Sequence, residues 1–163
     1  MEKPEITQLK ELLKTVRFAT MATVNQDGSP HNSPLVFLHD KAFTHVYWGS
    51  HPDSQHSKNI LRTGQLFVVI YDSFEAKPGL YIRAENGHIV EGDELQTALA
   101  IHNVIRKHIG KKEITLSYYM GSSPQRMWSA NITNMWINGV ERDNNGFMVR
   151  DFKIEIKRDD LII

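Results

Sequence analysis

Phe18 to Ser50, FATMATVNQDGSPHNSPLVFLHDKAFTHVYWGS, is the stretch that decides the fold. It is rich in β-branched and aromatic residues, which suit a pleated, half-buried surface. Asp27-Gly28 breaks it with a hairpin signal, because such turns need a residue that tolerates positive φ. His39-Asp40-Lys41 marks a weaker second turn. The pattern predicts three strands, roughly 18–25, 31–38 and 43–48, joined as a meander. Strands linked by short hairpins pair antiparallel.

Outward from this meander the pattern alternates between periods. Upstream, Ile6, Leu9, Leu12, Leu13 and Val16 recur at helical spacing and predict an amphipathic helix. Downstream, a short helix is expected from about Asp53 to Thr63. QLFVVIYDS is a near-continuous apolar run, as in a strand buried on both faces. GLYIRAENGHIVEG reads as a further strand with a glycine-linked irregularity. DELQTALAIHNVIRKHIG is a second helix, with Asp93 as its cap, Gly110 beyond its end, and Leu95, Leu99, Val104 and Ile105 on or near its apolar stripe. Residues 111–130 read as loop-rich. ITNMWINGVERDNNGFMVRDFKIEIK closes the chain as a hairpin turning at Asn144-Asn145-Gly146, with Phe152, Ile154 and Ile156 alternating. About seven strands with few helices predict a mainly β fold, a closed or half-closed barrel that leaves few exposed edges.

The bulk composition narrows the function classes. A length of 163 residues fits one domain, 1–163, around one core. Hydrophobic content of 40% and charged content of 23% are ordinary for a globular chain. Lys+Arg and Asp+Glu both number 19, and this balance argues against nucleic acid or an anionic membrane surface as a partner. With no cysteine, disulfides, thiol catalysis and thiolate metal sites are excluded. No run approaches the roughly 18 apolar residues of a membrane span, and the N-terminus lacks a signal-peptide core, so a cytoplasmic location is expected.

The chemistry concentrates in Tyr47 to Ile60, YWGSHPDSQHSKNI. Here an aromatic strand stops, and Ser54, Ser57 and Lys58 surround a helix start. Helix N-termini present free N–H groups and favour anions, while serine hydroxyls donate and lysine supplies a point charge. The same residues also suit a plain helix cap with a solvated lysine. His51 and His56 lie five apart across the turn, which is not a metal-ligand spacing, and no metal site is expected. His102 reads as a packed histidine, and His31 as one able to face a ligand. There is no G-x-S-x-G, Walker A or G-x-G-x-x-G run, so a serine hydrolase, P-loop ATPase or Rossmann dehydrogenase is not indicated. Trp48, Tyr71, Tyr81, Trp128 and Trp136 suit either a core or stacking on a planar ligand.

Taken in order, these motifs resemble the pyridoxamine 5′-phosphate oxidase-like, FMN-binding split β-barrel family. FATMATVNQDGSPHNSPLVF is similar to its opening hairpin, VYWGS…SKNI to its strand and phosphate-binding helix start, GQLFVVIYDS to the buried strand that follows, and MWINGVERDNNGFMVRDFKIEI to a C-terminal hairpin of small members. The resemblance implies an antiparallel split barrel that is homodimeric, with FMN at the interface. It implies that Asn32, Ser33, Pro34 and Leu35 run along the flavin ring, partly through backbone groups. Trp48, Gly49 and Ser50 would flank the ring or ribityl chain, Ser57 and Lys58 would hold the phosphate, and Trp136 of the other subunit would approach the ring edge. The family's arginine at the start of the second strand is replaced here by Asn32, its loop before the phosphate lysine is longer here, and its substrate-binding C-terminal arginine pattern is not reproduced by Arg142 and Arg150. The expected activity is therefore an FMN-dependent oxidoreductase of unknown small-molecule substrate, these departures speaking against vitamin B6 oxidation, with no catalytic residue assigned. A non-enzymatic flavin-binding or flavin-handling protein is the alternative, and a heme binder on the same barrel a third.

Overall fold

The structure, a computed structural model, describes residues 3–75 and 77–162. Strands β1 (Phe18–Val24), β2 (Pro30–Val36), β3 (Leu38–His39), β4 (His45–Ser50), β5 (Leu66–Ile70), β6 (Leu80–Ile89), β7 (Arg126–Arg142) and β8 (Met148–Ile156) form one antiparallel sheet. Helices α1 (Pro4–Thr15), α2 (Gln55–Thr63) and α3 (Gly92–His108) pack around it. The strand order is β2-β1-β5-β6-β7-β4-β3, with β8 beside β7. β2 and β4 come close but share no ladder, so the sheet curls into a barrel split along that seam.

The first hairpin forms as its sequence dictates. Gly28 takes φ +85°, and Asp27 accepts hydrogen bonds from the Ser29 backbone N–H and hydroxyl, which tightens the turn. β1 alternates strictly: Ala19, Met21 and Thr23 point into the core while Phe18 and Val24 are exposed. Pro4 opens α1 at its first turn, where its missing N–H costs nothing, and the helix lays Ile6, Leu9 and Leu12 into the same core. Each such burial contributes about 1.5–3 kcal/mol. Trp48 and Trp128 stack inside the barrel with centroids 6.1 Å apart.

Three sequence expectations change. Residues 126–130, read as loop, are the first turn-free third of β7. Met127, Trp128 and Ala130 there are fully buried, on both faces of the sheet, so the strand shows no period-2 alternation. α3 begins at Gly92 after Glu91 rather than being capped by Asp93, which lies inside its first turn. Val104 is 70% exposed, because only Leu95 and Ala98 of this helix are buried, in a separate cluster with Tyr47, Tyr119 and Met127 outside the barrel. Among the described residues no helix is long and apolar enough to cross a membrane.

The glycine irregularity in β6 has a packing cause. The register slips between Glu85 and His88, Asn86 takes φ 57°, and the Gly87 N–H donates to the Gly64 carbonyl at the end of α2. A Cβ on Gly87 would lie 2.3 Å from Cγ2 of Ile60, a fully buried side chain of α2. Gly87→Ala is therefore expected to destabilise the protein by about 1–3 kcal/mol, the usual cost of overpacking, read as a lower urea midpoint with an unchanged slope.

Candidate functional site

The seam between β2 and β4 is where the short polar residues gather. β4 ends at Ser50, the chain turns through His51-Pro52-Asp53, and α2 starts after Ser54. Ser54 makes no capping hydrogen bond to the helix backbone. The N–H groups of Gln55, His56 and Ser57 therefore lie in the first turn with no acceptor among the described residues, as helix geometry leaves them. Lys58 follows, exposed and without an ion pair among the described residues. Free N–H groups beside an unpaired ammonium suit a phosphate.

Behind this surface lies a buried cluster. His56 Nε2 lies 2.7 Å from Ser50 Oγ and 3.0 Å from Ser54 Oγ. Its Nδ1 lies 3.2 Å from Ser33 Oγ on β2, which in turn lies 3.1 Å from His31 Nε2. The Ser54 hydroxyl donates to Ser57 Oγ at 2.8 Å. Asn59, also buried, donates to Thr23 and Asn25 and ties α2 to β1. Burial, and then the neighbouring His31, hold His56 below its ordinary value, so the ring stays neutral near pH 7.

The predicted residues separate by face. In β2 the side chains of Asn32 and Pro34 are exposed, while Ser33 and Leu35 turn inward. Sheet register carries the outer face across the barrel in two rows, Pro34–Thr20–Val69–Tyr81–Trp136 and Asn32–Ala22–Phe67–Arg83. Trp136 and Phe67 rings lie 6.2 Å apart, with Lys153 Nζ 4.7–5.6 Å from the centroids of Phe67, Tyr81 and Trp136. This aromatic corner forms one wall of a groove of about 490 Å³ that runs past Ala22 and Arg83 to Thr63. Four strand spacings separate Pro34 from Trp136, about 19 Å along the sheet.

Three of the predicted positions present no side chain to the surface of the seam. Trp48 is 1% exposed inside the barrel, so only its backbone reaches the seam. Gly49 lies on the opposite face, where a Cβ would meet the Tyr119 hydroxyl at 2.9 Å. That hydroxyl bonds His102 Nδ1 at 2.9 Å, which accounts for the packed histidine. Ser57 is fully buried and its hydroxyl is engaged by Ser54 and Ser50, so it supports the turn from behind. The sequence reading left His56 unassigned. Its signal was its place two residues before Lys58, but only the closeness of β2 and β4 reveals its partners.

Burial also lowers His39 and His102. Each of these rings, like His56, takes up a proton more readily in the unfolded chain, whose ordinary value is 6.5. Stability should therefore be level above about pH 7 and fall as pH drops through about 6.5 and below, partly offset by His88, which moves the other way. Urea denaturation at a series of pH values checks this. The slope below pH 6.5 should shrink in His102→Gln.

Comparisons with known proteins agree with this architecture. The sequence pattern described as "Pyridoxamine 5′-phosphate oxidase" matches residues 6–138. No curated protein sequence matches the chain. Among solved structures, a heme binding protein from Mycobacterium smegmatis superposes with a TM-score of 0.67 at 15% identity, covering 99% of this chain and 61% of that one. The chain thus spans 61% of that protein's length. HutZ, the heme storage protein from Vibrio cholerae, gives 0.62 at 18% identity over 80% of this chain and 92% of its own. A protein of Clostridium acetobutylicum related to general stress protein 26 of B. subtilis, of the pyridoxinephosphate oxidase family, gives 0.63 at 9% identity over 96% and 97%. At these identities the structural likeness speaks for the fold, a split β-barrel, while the matched pattern over residues 6–138 places the chain in the pyridoxamine 5′-phosphate oxidase family.

Proposed function

We propose that the protein is an FMN-dependent oxidoreductase that binds the cofactor at the interface of a homodimer. The observation that carries this reading is the juxtaposition, across the barrel seam, of an edge strand and an anion-binding turn. β2 pairs only with β1, so backbone groups along its outer edge are free for the polar rim of a flavin. The uncapped first turn of α2 and the unpaired Lys58 lie across the seam and fit the phosphate. Bound FMN would supply the hydride or electron transfer, and the protein would bind, orient and shield it. Ser50, Ser54 and Ser57 shape the turn, and Lys58 neutralises the phosphate charge.

The homodimer rests on two features. Phe18 is 65% and Val24 50% exposed on the outer face of β1, Val24 lining the same groove as Phe67 and Trp136, and exposed apolar residues of this kind mark interaction sites. The four strand steps between Pro34 and Trp136 favour a second copy as the source of the Trp136 that approaches a flavin ring. Flavin binding without turnover is the alternative within this reading. The heme proteins among the structural neighbours share the fold; among the described residues no group of three or more His, Asp or Glu side chains could hold a bare metal ion.

The purified protein should take up FMN and show a flavin absorbance spectrum. A chain that remains colourless with excess FMN overturns the proposal. Lys58→Ala should weaken FMN binding by about 1.5–3 kcal/mol, the loss of one charge-assisted contact, with an unchanged melting temperature. Phe18→Glu should shift the sedimentation coefficient from dimer to monomer and lower FMN affinity in parallel.

A further inference from the structure

His56 links the two halves of the proposed cofactor site directly, beside the tie that Asn59 makes from α2 to β1. The edge strand that would carry the ring and the turn that would carry the phosphate are joined by no backbone ladder, because β2 and β4 sit on either side of the split. Side chains must therefore set their spacing. From α2, the His56 ring reaches β2 through Ser33 Oγ at 3.2 Å, and the β4 end through Ser50 Oγ at 2.7 Å. The same Nε2 holds Ser54, the residue that precedes the helix, at 3.0 Å. Ser50 and Ser33 thus lie on opposite sides of one rigid ring. Because the Ser54 hydroxyl donates to Ser57, all the contacts are satisfied when His56 Nε2–H donates to the Ser50 and Ser54 oxygens and Nδ1 accepts from the Ser33 hydroxyl. His56 is buried, so these bonds are protected from competing water.

Resting on the flavin reading above, we propose that His56 is the positioning residue of the cofactor site: it fixes the distance between the flavin-ring strand β2 and the phosphate-binding turn of α2, and so makes ring and phosphate bind as one unit. Its own atoms do not touch the ligand. Its effect passes through Ser33 to the Asn32–Leu35 strand and through Ser50 and Ser54 to the first turn of α2. A ligand with both a ring and a phosphate gains from this spacing, whereas one with a ring alone gains little.

The test compares FMN with riboflavin, which lacks the phosphate, by flavin fluorescence quenching on the wild type, His56→Leu, His56→Gln and Ser33→Ala. 31P NMR of bound FMN reports the phosphate environment. The wild type should prefer FMN over riboflavin. His56→Leu should lose about tenfold or more of that preference and shift the bound phosphate resonance. His56→Gln, whose amide can reach Ser50 and Ser54, should restore most of it, and Ser33→Ala should give a partial loss through the β2 side alone. A merely structural role would lower the folded fraction for both ligands alike and leave their ratio unchanged, and that result overturns the proposal. If His56→Leu does not fold, Ser33→Ala decides: an unchanged FMN-to-riboflavin ratio in that variant overturns it. A wild type that binds neither flavin overturns the flavin reading and this inference together. A wild type that binds FMN while all three variants keep its full preference overturns this inference alone.

Discussion

The fold depends on the pairing of β7. This strand of 17 residues takes β6 along one edge and divides its other edge between β4, at Arg126–Asn131, and β8, at Met135–Arg142. One strand thus belongs to the barrel at its start and to a projecting hairpin at its end. Because β4 is held by β7, it ends where Ser50 can meet α2. Because β2 is held only by β1, the barrel stays open on the far side of that meeting point. The seam is the consequence, and the polar cluster fills it.

That seam reconciles two demands that conflict in a closed barrel. The core needs dry, continuous packing, which Trp48, Trp128 and the α1 leucines provide. The proposed cofactor would need free backbone groups and an anion-binding turn. Buried hydroxyls and imidazole would be costly without partners, but in this cluster each one has several. The hydrogen bonds of the cluster let polar residues stand at the edge of an apolar core without unsatisfied groups among them.

Much of this was legible beforehand, for local reasons. The β1–β2 hairpin follows from Asp27-Gly28 and from the alternation of Ala19, Met21 and Thr23. The short helix expected from about Asp53 to Thr63 appears as α2, starting at Gln55, and the irregularity expected in GLYIRAENGHIVEG is the bulge of β6 at Asn86-Gly87. The first part of β7 was missed because Met127, Trp128 and Ala130 are buried on both faces, and a strand without alternation looks like irregular apolar sequence. Val104 was placed on a buried stripe because helical spacing shows which residues share a face. It does not show how wide a face the neighbours cover.

For the candidate site, residue type and order pointed to the turn of YWGSHPDSQHSKNI, with its serines and Lys58. Sequence by itself determined most of the strands, the hairpins and the chemical character of that turn, because those depend on neighbours a few residues apart. Only the tertiary structure decided that Trp48 and Ser57 face inward, that Gly49 lies under Tyr119, and that His56 joins Ser33 to Ser50. These depend on which strands of the barrel come together, and the pairs involved lie as far as 70 residues apart in sequence, as Gly49 and Tyr119 do. Their contacts arise from the closing of the sheet rather than from any local propensity.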